Sequence, residues 1–173
     1  MINVLIASVM LATANLQLPD GHEDSHWGMS VEDLTSQKDV HKAEQGTEYG
    51  YADHTETDPD VYVRLTKENT RVEYYFYEGL LYKIYVIYDR AKSSSEFYQQ
   101  LIKDTRKKYG PAQSHYQEQV FGLLVLHVKW NDGKSSLDLR SGAGYIYEVY
   151  TDNDAERRKA SQVRKKRMKE KSI

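Results

Sequence analysis

Between residues 61 and 88 the apolar positions repeat with a period of two. Val61, Val63 and Leu65 alternate with Tyr62, Arg64 and Thr66, the spacing of a half-buried strand. Arg71–Tyr77 and Leu80–Tyr88 flank Glu78-Gly79, which predicts a hairpin. Val72, Tyr74 and Phe76 fall on one face of its first arm. In the second arm Leu80, Tyr82, Ile84, Val86 and Tyr88 share a face, with Leu81, Tyr85 and Ile87 opposite. A strand apolar on both faces belongs near the middle of a sheet. Glu48–Thr55 is polar and reads as an edge strand. A second block follows the same rule: His115–Gln119, Val120–Trp130, Ser135–Arg140 and Tyr145–Thr151, with Asn131-Asp132-Gly133 as a hairpin turn and Gly142 and Gly144 marking the last turn or a bulge.

The period changes to that of a helix at Phe97, Tyr98, Leu101, Ile102, Thr105 and Tyr109. Ser93-Ser94-Ser95-Glu96 offers a cap at its start, and Gly110-Pro111 stops it. A shorter helix is predicted from Val31 to about Lys38, with Ser30 as N-cap, Asp33 completing a capping box, and Val31 and Leu34 facing inward. Residues 15–26 are polar, carry the turn signal Pro19-Asp20-Gly21 and read as a linker. Asp154 is placed to cap a basic helix whose only large apolar residues before Ile173 are Val163 and Met168, too few to dock it strongly, so it is expected to project or fray. The pattern predicts an α+β domain over 27–153: an antiparallel meander, two helices on one face, helix-then-strands twice, then a basic tail over 154–173.

Composition sharpens this. Among 173 residues there are 15 Tyr against 3 Phe and 2 Trp, and Tyr suits a half-buried strand or a binding face. Tyr75, Tyr77 and Tyr85, with Leu81, are candidates to line the sheet face away from the helices as a platform for a peptide, glycan or protein; the alternative is that they pack against the helices or a partner strand. The chain has no Cys, which excludes disulfides, thiolate metal sites and a lipidated N-terminal Cys. Its net charge of −2 divides sharply: residues 156–173 carry +7 and the rest −9. Arg157, Arg158, Arg164, Lys165, Lys166 and Arg167 are therefore candidate contacts for an anionic surface, nucleic acid or another envelope protein. They also have the acidic body as a partner, in a latch that high salt would release.

Val4–Leu11 is an apolar run followed by Ala12-Thr13-Ala14, the order of a signal peptide cleaved before Asn15, although Met1-Ile2-Asn3 carries no basic residue. Trp27-Gly28-Met29-Ser30-Val31-Glu32-Asp33-Leu34, the Tyr-rich hairpin with Gly79-Leu80, and Leu101 to Tyr109-Gly110-Pro111 resemble a diffuse group of exported bacterial domains. In shape these are similar to the helix-and-strand units of the β-lactamase-inhibitor-like fold, which includes a small outer-membrane assembly lipoprotein. The resemblance implies a fold and not a reaction.

Catalytic signals are weak. His22-Glu23-Asp24-Ser25-His26 matches the letters of a zinc-protease helix, but it follows Pro-Asp-Gly and has no apolar face to bury. His41, His54, His115 and His127 are scattered. Gly142-Ala143-Gly144 opens a strand, not a helix, so no dipole would meet a phosphate. No catalytic residue, metal site or cofactor is implied. The sequence points to an exported, periplasmic or secreted binding or assembly module without enzymatic activity; the alternative is a cytoplasmic domain whose tail binds nucleic-acid phosphates.

Overall fold

The computed structural model describes residues 17–38, 43–48, 60–67 and 69–171. The proposed signal peptide, His41, His54 and most of the strand expected over Glu48–Thr55 lie outside them. The chain runs as α1 (Val31–Gln37), β1 (Ala43–Glu48), β2 (Asp60–Lys67), β3 (Thr70–Tyr77), β4 (Leu80–Tyr88), α2 (Ser95–Tyr109), β5 (Ser114–Val120), β6 (Leu123–Asn131), β7 (Ser135–Gly142), β8 (Tyr145–Asp152) and α3 (Asn153–Glu170). The strands form one eight-stranded antiparallel sheet in the order β1-β2-β3-β4-β8-β7-β6-β5. Each half is a helix followed by a four-strand meander, and the halves join where β4 pairs with β8.

Both predicted helix starts form. Ser30 Oγ accepts from the Asp33 amide at 3.0 Å, the N-cap half of a capping box, while its hydroxyl, not the Ser30 amide, donates to Asp33 Oδ2 at 2.9 Å. Ser94 caps α2 by accepting from the Phe97 amide at 3.1 Å. Leu34 from α1, and Tyr98 and Ile102 from α2, enter one core with Val63, Val72, Tyr74, Phe76, Ile84, Val86, Val128, Trp130, Leu137, Leu139 and Ile146. The two helices therefore share a sheet face. Trp130 is fully enclosed, and its indole nitrogen donates to Gly110 O at 2.9 Å, tying β6 to the end of α2.

Four local readings change. A bulge at Tyr75/Phe76 sets Phe76 opposite Leu81 and leaves Tyr82 as the extra residue. Leu81 consequently enters the helix-side core, Leu80 is exposed, and Tyr82 turns toward α3. The β5–β6 turn falls at Phe121-Gly122, where φ is 51° and 77°, rather than between Gln119 and Val120. The polar stretch before Trp27 does not hang free: Leu18 is buried, its amide donates to Asp132 Oδ2 at 2.8 Å, and Trp27 Nε1 donates to Ser135 Oγ at 3.0 Å. The basic tail does not project along its whole length either. Its cap is Asp152, which accepts from the amides of Asp154 and Ala155, and its first turns lie on the sheet face opposite α1 and α2.

Candidate binding surface

Strand alternation decides what the opposite face carries. Registering β2, β3, β4, β8, β7 and β6 side by side gives one transverse row of Arg64, Glu73, Tyr85, Val149, Asp138 and Lys129. The next row reads Thr66, Arg71, Ile87, Tyr147, Arg140 and His127. Tyr62 and Tyr75 head the row on one side of this pair, and Tyr145 stands on the other.

Two carboxylates anchor this face. Glu73 is buried; Arg64 Nε donates to its Oε1 at 2.9 Å, Arg71 Nε lies 3.0 Å from the same oxygen, and Tyr75 OH donates to Oε2 at 2.8 Å. Asp138 is likewise buried, with Arg140 Nε donating to Oδ2 at 2.8 Å and His127 Nδ1 3.1 Å from that oxygen. His127 Nε2 lies 3.1 Å from Glu118 Oε1, out of line for a hydrogen bond, and Tyr116 stacks on the imidazole at 4.4 Å. Buried carboxylates that receive guanidinium and phenol donors meet the requirement that an enclosed charge be paired. The arginine side chains are thereby held in place across the sheet.

Aromatic rings fill the spaces between. Tyr75 contacts Tyr62 at 5.9 Å and Tyr85 at 5.3 Å, and the Arg64 guanidinium lies 5.1 Å from the Tyr62 ring centre. Burial pushes up the pKa of the Tyr147 hydroxyl, with Tyr145 and Glu73 adding to the shift and Arg71 and Arg140 opposing it. Beyond them, an open depression of ≈ 390 Å³ is lined by Arg64, Thr66, Asn69, Arg71, Ile87 and Tyr145 among others.

The far end of the face is occupied by α3. Lys159 is buried and its ammonium donates to Tyr82 OH at 2.8 Å. Lys83 pairs with Glu156 at 2.9 Å, while Tyr77 OH donates to Gln162 Oε1 at 2.5 Å. Ala155 is the buried apolar contact. The helix docks through polar groups, which its low apolar content does not reveal.

Of the candidate residues, Tyr75 and Tyr85 therefore sit together on the face, whereas Tyr77 holds α3. Arg157 and Arg158 are exposed on the docked half, with Arg157 paired to Asp154. Arg164, Lys165 and Lys166 are exposed beyond it, and Arg167 is half-buried. Tyr62, Tyr147, Arg64, Arg71, Arg140, Glu73, Asp138 and His127 were not singled out from the sequence. Their signal was the outward positions of the strands, where Arg71-Val72-Glu73 and Asp138-Leu139-Arg140 place opposite charges two residues apart.

The letters His22–His26 form a turn, with the Ser25 amide donating to His22 O at 3.2 Å and the His22 ring 5.1 Å from that of Tyr150. Among the described residues no group of three His, Asp or Glu side chains is placed to hold a metal, and no helix is long and apolar enough to cross a membrane. The chain matches no family model, no curated protein and no solved structure.

Proposed function

We propose that the protein is an exported, non-enzymatic binding or assembly module that engages a partner protein through the Tyr- and Arg-bearing sheet face, with α3 as its border. The observation that carries this reading is the pair of buried carboxylates, Glu73 and Asp138, fixing arginines among half-buried tyrosines. Tyr and Arg are side chains enriched at protein interfaces: Tyr brings a large contact area at a small cost in rotamer entropy, and Arg brings several donors in one planar fork but loses more freedom when ordered. Holding them in place beforehand removes part of the ordering cost of association. Export is supported by Val4–Ala14 of the sequence.

The test is co-isolation from the native host with Tyr62→Ser/Tyr147→Ser, against Gln99→Ser on the exposed side of α2. Loss of a stoichiometric partner only in the double variant, at unchanged melting temperature, supports the reading. Equal recovery by both variants refutes it. The alternative reading, a cytoplasmic phosphate-binding domain, is favoured by the exposed cations Arg164, Lys165, Lys166, Lys169 and Lys171 beyond the docked part of α3. It requires an intact Met1 in the host, whereas export requires a mature terminus at Asn15.

A further inference from the structure

The β5–β6 hairpin differs in character from the rest of the surface. It forms one end of the sheet, and β5 pairs only with β6 among the described strands. Of the six large hydrophobic side chains exposed among the described residues, four lie on this hairpin: Tyr116, Phe121, Leu123 and Leu124. Residues 114–131 carry just two formal charges, Glu118 and Lys129, in a chain that is 29% charged. Depletion of charge with exposed apolar groups is the composition of an association surface.

Among the described residues the edge itself is undefended, with five of the seven β5 residues exposed. Soluble proteins blunt exposed strand edges with Lys, Pro, bulges or a covering element. Ser114–Val120 contains no Lys, Arg, Pro or Gly, and its register with β6 is continuous from Ser114↔Lys129 to Val120↔Leu123.

We infer that two copies of this chain associate through antiparallel pairing of their β5 strands about a dyad at Gln117. Gln117 is the middle of the seven residues, so this register alone pairs the whole strand with itself. It sets His115 opposite Gln119 of the second copy and Tyr116 opposite Glu118, placing a phenol donor beside a carboxylate and no like charges together. A register one residue later sets Glu118 against Glu118. The dyad stands perpendicular to the sheet, so the product is one continuous sixteen-stranded sheet with both Tyr- and Arg-bearing faces on the same side. Seven paired residues bury less than the roughly 1,200 Å² typical of stable complexes, so the dimer is weak, with a dissociation constant on the order of 10 µM.

The chain has no native Cys, which makes a cross-link unambiguous. Paired residues in antiparallel strands have Cα atoms roughly 4.5–5.5 Å apart, within disulfide range. Under mild oxidation Gln117→Cys is expected to form a covalent dimer at least tenfold faster than Gln99→Cys on α2. Sedimentation of the unmodified protein should show a concentration-dependent shift from monomer to dimer, and Gln117→Lys, which sets two cations at the dyad, should abolish it. A monomer up to 500 µM, as a test concentration of about 50 times the dissociation constant, overturns the inference. So does equal cross-linking of the two Cys variants, a dimer that survives Gln117→Lys, or a mass above that of a dimer.

Discussion

Removing the Tyr82 hydroxyl probes how α3 is held. Tyr82→Phe keeps the ring, 5.1 Å from the Lys159 ammonium, but takes away the oxygen to which that ammonium donates at 2.8 Å. Lys159 is 2% exposed, so water does not replace the lost acceptor. A hydrogen bond to a charged group contributes about 1.5–3 kcal/mol, and 2 kcal/mol corresponds to a change of roughly 30-fold in an equilibrium constant. The loss falls on local opening of α3 rather than on global unfolding, because α3 is added at one end of a sheet that is complete without it. Amide exchange of residues 155–163, read by mass spectrometry, should accelerate about 30-fold, while β7 and β8 peptides are unchanged. Raising salt to a molar should change it by less than about threefold, because the buried contact is little screened and the Lys83–Glu156 pair contributes only tenths of a kcal/mol. Exchange unaltered by Tyr82→Phe, or a tail released by salt alone, would show that the buried Lys159–Tyr82 contact is not what holds α3.

Leu34 is the one buried residue of α1, and Leu34→Ala should cost about 3 kcal/mol in denaturant titration without changing the β-sheet signature. Tyr98 donates to Leu139 O at 3.0 Å, and burial pushes its pKa from 10.0 up to about 12. Because the folded value lies above the unfolded one, this stability is present below pH 10 and is lost as pH rises toward 12. Thermal melts should therefore fall less steeply over that window in Tyr98→Phe than in the unmodified protein. Phe121 takes a left-handed φ of 51° in the β5–β6 turn, a conformation Asn tolerates better, so Phe121→Asn should raise stability by about 0.5–1 kcal/mol in chemical denaturation. Glu73→Gln replaces the charge that Arg64 and Arg71 share and should lower stability by about 1–3 kcal/mol.

Most of the architecture was legible because periodicity carries it. Alternation at Val61–Leu65 and Val72–Phe76, the helical spacing from Phe97 to Tyr109, and the caps at Ser30 and Ser94 each act locally. What was not legible depends on contacts distant in sequence. The bulge that moves Leu81 into the core and Tyr82 out of it is a mismatch between two strands, invisible in either alone. Phe121 hid a turn because a bulky residue with positive φ is rare, although Gly122 beside it was the available signal. Lys159 looked like one more cation of a solvated tail, yet a phenol 77 residues away makes it a buried anchor. The Tyr-rich face was anticipated through Tyr75 and Tyr85. Its charged anchors were missed because Glu73 and Asp138 come from opposite halves of the chain and meet the same surface only through β4 and β8.

The most direct measurement is site-specific photo-cross-linking in the native host, with a photoreactive phenylalanine at Tyr147 in the centre of the face and, separately, at Gln99 on α2. A discrete adduct at Tyr147, absent at Gln99 and lost when Arg71→Ala is added, is the predicted result. No adduct at Tyr147, or the same adducts from both positions, would contradict the proposal that this face is where the protein binds.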